Sequence, residues 1–206
     1  MSNMELLEER ALTYRFLSNV FLVLPDEAFV KQMLAWPADD DSEGGKLIAA
    51  WAAQNAGADV TALTTAVSVD RTRLFRGLTA DGPIPPYESL FLSESPDKSA
   101  SIAGVAGSYA AIGFEQVGGV HDSPDYLGNE FAFMDRLLTL EMEAVAAGNA
   151  QDAETAKALS ERFLSGHLGR WVERYTREME AKAETDLYRG LALVIRAFMV
   201  EEAAKA

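Results

Sequence analysis

The sequence predicts an all-α protein: a single-domain irregular helical bundle of about eight to nine helices with one long Pro-rich loop, spanning residues 1–206. Two observations carry that prediction. Apolar residues recur at gaps of three and four along nearly the whole chain, which is the period of a helix with one buried face. No alternating run is long enough to make a strand, and Pro, Gly and capping residues punctuate the periodic stretches at helix-length intervals.

The first helix is expected from about Met4 to Val23, with Leu7, Ala11, Tyr14, Leu17, Phe21 and Leu24 on one face. Pro25-Asp26 ends it, and a short helix follows to about Trp36. Pro37 and the acidic run Asp39-Asp40-Asp41 make a turn, and Ser42 caps a helix through Gln54. Gly57 separates that from a helix of about Asp59 to Arg76. After the loop, Ser99 to about Ile112 reads as helix, broken by Gly113, Gly118 and Gly119. Ser123-Pro124-Asp125 has the form of a helix start: a cap, a proline at the first position and an acid in the first turn. That helix carries Leu127, Phe131, Met134, Leu138 and Met142 to a stop at Gly148-Asn149. One long helix then runs from about Asp152 to Ala181, with Leu164, Leu168, Trp171, Tyr175 and Met179 on one side. The last runs from about Glu184 to Ala203, turning Leu187, Leu191, Val194 and Phe198 inward.

The loop extends from Gly77 to about Lys98 and holds Gly82, Pro83, Pro85, Pro86 and Pro96. A loop of roughly 20 residues inside a compact domain is uncommon and usually functional or disordered. Disorder does not favour an apolar aromatic hexad such as Pro86-Tyr87-Glu88-Ser89-Leu90-Phe91. The segment is therefore expected to be ordered, and to close or line a groove. Tyr87, Leu90 and Phe91 either pack it onto the bundle or floor a site for an apolar peptide, with acids on the rim selecting basic residues.

Composition narrows the function further. The chain has 206 residues and a net charge of −14, from 32 acids and 18 bases. Phosphate backbones would be repelled, so nucleic acid is not expected as a partner, whereas a cationic segment would be steered in. There is no cysteine, which removes disulfides, thiolate metal sites and thiol nucleophiles together. No apolar run reaches the roughly 18 residues of a membrane span, and the N-terminus has no signal-like pattern, so a cytoplasmic location is expected.

Catalytic signatures are sparse. His121 and His167 are the only histidines. His121, Asp125 and Glu130 are the residues a small metal-dependent helical enzyme would use, yet their spacing matches no compact ligand motif, and capping accounts for Ser123 and Asp125. His167 precedes Trp171 by four residues on an apolar face, the usual setting of a core or boundary histidine. Neither a phosphate loop nor a nucleophile elbow occurs. No catalytic residue, metal ligand or cofactor is expected.

Three patches together are similar to a known family. The first is Leu74-Phe75-Arg76-Gly77, then the loop, then Pro85-Pro86-Tyr87-Glu88-Ser89-Leu90-Phe91. The second is Ser123-Pro124-Asp125-Tyr126-Leu127-Gly128-Asn129-Glu130-Phe131-Ala132-Phe133-Met134. The third is Phe163-Leu164-Ser165-Gly166-His167-Leu168-Gly169-Arg170-Trp171. In this order they resemble the TorD/DmsD/NarJ family of molybdoenzyme maturation chaperones, nearest the TorD–DmsD branch. Tyr126 stands where that family commonly has His, and Phe131 where Leu is usual. A catalytic role at Tyr126 would be lost by that change; an amphipathic contact would survive it.

The resemblance implies an all-α chaperone that is not an enzyme. Such a protein would bind the twin-arginine signal peptide of a molybdopterin oxidoreductase, or its apo form, and assist molybdenum cofactor insertion before export. It implies a monomer or a helix-swapped dimer. In that reading Glu88, Asp125 and Glu130 pair with the two arginines. Leu74, Phe75, Pro86, Tyr87, Leu90, Phe91 and Tyr126 receive the apolar stretch.

Overall fold

The computed structural model describes residues 2–76, 82–92, 98–116 and 123–205. These residues form α-helices and turns, with a single isolated β-bridge among them. The all-α expectation therefore holds. The chain clusters into two compact units.

The first unit comprises residues 1–23 and 87–171, with the last two residues. Helix α1 (Asn3–Leu22) starts on a capping box that the periodicity did not reveal: the Ser2 hydroxyl accepts from Glu5 N, and Glu5 accepts from Ser2 N. Leu7, Ala11, Tyr14, Leu17 and Phe21 are buried as their spacing requires. Leu24 is 67% exposed, because the helix ends at Leu22 and the chain turns extended at Val23 before Leu24 can join that face.

In sequence order the next helices are α2 (Glu27–Leu34), α3 (Glu43–Gln54), α4 (Val60–Arg76), α5 (Glu88–Leu92), α6 (Ser99–Ala110) and α7 (Leu127–Ala146). Within the first unit α1 packs along α7. A Cβ on Gly128 would lie 2.7 Å from Leu22 Cγ, so only glycine permits this approach. The Ser18 hydroxyl donates to the Gly128 carbonyl at 2.9 Å, and Arg15 grips Asp135 through two nitrogens at 2.9 and 3.0 Å. Helix α7 opens at Leu127, later than the Ser-Pro-Asp signal predicts. Ser123 donates to the Asp125 carboxylate instead of capping the helix, and Ser123-Pro124-Asp125 forms a turn ahead of it.

Helix α8 (Ala150–Phe163) is capped by Asn149, and it follows Gly148, whose φ of +71° makes the sharp reversal from α7. The single long helix expected over Asp152–Ala181 is interrupted: a π-helical turn at Leu164–Leu168 separates α8 from α9 (Gly169–Lys182). A Cβ on Gly169 would meet the Leu164 carbonyl oxygen at 2.9 Å, so the wide turn depends on glycine there. Leu164, Leu168 and Trp171 are buried all the same.

The second unit comprises residues 24–86 and 172–204. Asp26 and Ser42 cap α2 and α3 through their side chains. Helix α10 (Asp186–Lys205) begins beside α4. The buried Asp70 of α4 accepts from Thr185 N and Thr185 Oγ1, both at 2.8 Å, and from Glu184 N at 3.3 Å. Arg73 donates to Asp70 at 2.9 Å and also to the Lys182 carbonyl, which ties the end of α9 to the start of α10.

Candidate functional site

The fifth helix lies inside the segment expected to be a loop, so that expectation is corrected at Glu88–Leu92. Residues 77–81 and 93–97, which hold Gly77 and Pro96, lie outside the described residues. Five residues cannot sustain a helix alone. The sequence-distant turn before α7 supports this one. Tyr87 and Tyr126 form an antiparallel bridge with their rings 5.2 Å apart. Glu88 N donates to the Asp125 carbonyl, and Ser89 N to the Asp125 carboxylate, each at 3.0 Å. Asp125 thus caps α5 rather than its own helix.

Beneath α5 lies a buried acidic cluster. Glu88 is 2% exposed, and Asp125 and Glu130 are fully buried. One Glu88 oxygen accepts from the Ser101 hydroxyl of α6; the other meets His167 Nδ1 at 2.8 Å. His167 comes from the π-helical turn, stacks on Phe163 with ring centroids 4.7 Å apart, and lies against Gly104 of α6. Glu130 Oε2 accepts from Trp171 Nε1 at 3.3 Å. Its Oε1 has no hydrogen-bond partner among the described residues. Burial pushes the Glu130 carboxyl well above the usual range, and the charges of Glu88 and Asp125 push it further. Burial likewise raises the Tyr109 phenol, helped by Glu130, Asp125 and Glu88. Tyr109 donates to the Pro124 carbonyl at 2.8 Å.

The surface above this cluster is apolar. Leu90 is 41% exposed, while Tyr87 and Phe91 are half-buried. The Phe91 ring sits 5.5 Å from Trp171. Tyr126, expected on the surface that receives the apolar stretch, is instead buried: its hydroxyl donates to the Phe21 carbonyl at 3.0 Å and its ring lies against Tyr87.

Seven of the ten expected site residues therefore share the first unit: Tyr87, Glu88, Leu90, Phe91, Asp125, Tyr126 and Glu130. The acids, expected on a rim, lie inside, because α5 and α7 close over them. Leu74, Phe75 and Pro86 belong to the second unit. There Leu74 and Phe75 are core residues: Phe75 packs edge-on to Tyr188 at 6.2 Å, with the Arg71 guanidinium 5.3 Å from its ring centroid. His121 lies outside the described residues, and among the described residues no group of His, Asp and Glu is arranged to hold a metal ion.

Sequence reasoning missed Ser101 and Tyr109 and read His167 only as a boundary residue. Their signal is tertiary, since their partners lie 13, 15 and 79 residues away.

The sequence profile of the nitrate reductase delta subunit family matches residues 38–177, a span that holds all three sequence patches. The chain belongs to this family. Its members are chaperones of molybdoenzyme maturation, so a role on an oxidoreductase client is the family's general one. A search of curated proteins returned no match. Among the described residues no helix is long and apolar enough to cross a membrane.

Proposed function

We propose that this protein is a cytoplasmic maturation chaperone that binds the twin-arginine signal peptide of a molybdopterin oxidoreductase, or its apo form, and holds it until cofactor insertion precedes export. It acts by binding and performs no chemistry. The observation that carries the reading is the pairing of an apolar surface on α5 with three carboxylates directly beneath it. A twin-arginine leader presents the complementary order, two guanidiniums followed by an apolar stretch.

Glu130, which keeps its proton in the free protein, ionises against an arriving guanidinium, and its Oε1, without a partner among the described residues, then accepts from the fork. Glu88 exchanges its His167 and Ser101 contacts for the second arginine as α5 lifts. Tyr87, Leu90 and Phe91 then pack on the apolar stretch. Buried carboxylates make this exchange selective, because a leader lacking arginine leaves them unpaired in a low-dielectric site.

The test is leader affinity in Tyr87→Ala and Asp125→Ala variants, each checked for native helicity. At least tenfold weaker binding in both supports the assignment. Unchanged affinity with an intact fold places the site elsewhere.

A further inference from the structure

His167 is held in a way that bears on which cation the α5 site accepts. The π-helical turn at Leu164–Leu168 carries it out of the regular helical ladder, and such turns are frequent at functional positions. Its ring sits in a slot. Phe163 stacks on it at 4.7 Å between centroids, and a Cβ on Gly104 would come within 3.3 Å of His167 Cε1, so glycine on α6 leaves the imidazole its room. The slot is not sealed: 16% of the His167 side chain is exposed, and a Cβ on the preceding Gly166 would meet nothing within 4 Å.

Glu88 is thereby engaged at both oxygens before any client arrives. One accepts from the Ser101 hydroxyl, and the other lies 2.8 Å from His167 Nδ1. Glu130 differs, because its Oε1 has no partner among the described residues. Of two buried glutamates under α5, one is open to a new donor and the other is guarded. A cation that takes Glu88 must replace both donors, since a buried carboxylate oxygen left unpaired is costly. A guanidinium does so at once, because the parallel N–H groups of its planar fork match the two oxygens of a carboxylate. An ammonium has no such fork, and it gives up a tighter hydration shell to enter a buried site.

We infer that His167 is a specificity-determining residue of the leader site: as the donor a client must displace from Glu88, it makes the site choose arginine over lysine. The inference rests on the leader-binding reading above and adds the residue that sets its selectivity. Against a lysine, His167 and Glu88 remain the better pair, held together by Phe163 and Gly104. Against an arginine, the fork satisfies both Glu88 oxygens and the imidazole leaves.

The experiment titrates paired Arg-Arg and Lys-Lys leader peptides into the full chain, unaltered and as His167→Ala and His167→Gln. Arg-Arg binding to the unaltered protein decides the leader reading, and its absence overturns both. The ratio of the two affinities decides this inference. A preference for Arg-Arg of at least about tenfold should fall to about threefold or less in His167→Ala, because the Lys-Lys peptide gains affinity. It should return toward the original value in His167→Gln, whose amide can again donate to Glu88. A purely structural His167 would weaken both peptides together; an unchanged ratio in His167→Ala overturns the inference while leaving leader binding intact. A second measurement needs no variant. The 15N signals of the His167 ring should shift on saturation with the Arg-Arg leader and stay in place with the Lys-Lys peptide. An unmoved Nδ1 signal in the Arg-Arg complex likewise overturns the inference.

Discussion

Replacing Glu130 by Gln is expected to stabilise this protein at neutral pH, although Glu130 is fully buried and hydrogen-bonded to Trp171. The Glu130 carboxyl is raised well above its ordinary value of 4.5, first by burial and then by Glu88 and Asp125. Above that ordinary value the native state keeps a proton that the unfolded chain releases. The favourable contribution is therefore complete at low pH and is lost as pH rises through the folded-state pKa. Within that window one such group removes at most about 1.4 kcal/mol of stability per pH unit. Glutamine stays neutral throughout. Its carbonyl can still accept from Trp171. Urea unfolding at pH 5, 6, 7 and 8 measures the difference directly. The variant and the unaltered protein should be about equal at pH 5 and separate steadily above it, the variant leading by about 1–3 kcal/mol at pH 8. Parallel pH profiles, or a variant that is the less stable at pH 8, would refute the assignment of a protonated acid at the centre of the cluster.

Other outcomes follow from single contacts. Gly128→Ala gains about 1 kcal/mol of helix propensity but drives a methyl to 2.7 Å from Leu22 Cγ; a net loss of about 1–2 kcal/mol in thermal or urea unfolding is expected. Asp70→Ala removes the acceptor that holds Glu184 N, Thr185 N and the hydroxyl of the capping Thr185 ahead of α10, leaves Arg73 without its buried carboxylate, and is expected to cost about 2–4 kcal/mol. Hydrogen exchange should show the loss concentrated at Thr185–Tyr188, and uniform loss over the second unit would contradict Asp70 as the anchor of that segment.

The helices were legible where signals are local. Ser42 capping α3, the buried face of α1 and the α7–α8 reversal at Gly148 all follow from residues within one or two turns of each other. What the sequence concealed was long-range. Ser-Pro-Asp looks like a helix start, but the Asp125 side chain caps a helix 36 residues earlier, so its role depends on a contact no local pattern encodes. Tyr87-Glu88-Ser89-Leu90-Phe91 reads as loop because a five-residue helix has no periodicity to display. The acids were recognised as the polar complement of an apolar patch, yet their burial was not, because Glu88 disappears beneath α5 through bonds to Ser101 and His167. The π-helical turn escaped notice for a related reason: Leu164, Leu168 and Trp171 keep an ordinary helical stripe across it.

The central claim is that this chain recognises the paired arginines and the apolar stretch of a molybdoenzyme leader. Calorimetric titration with leader peptides of molybdoenzymes from the same source, each beside its Lys-Lys counterpart, tests it most directly. Micromolar or tighter binding to one leader, weakened at least tenfold by the Lys-Lys change, is the predicted result. Absence of binding to every leader, or equal binding to the Lys-Lys peptides, would contradict it.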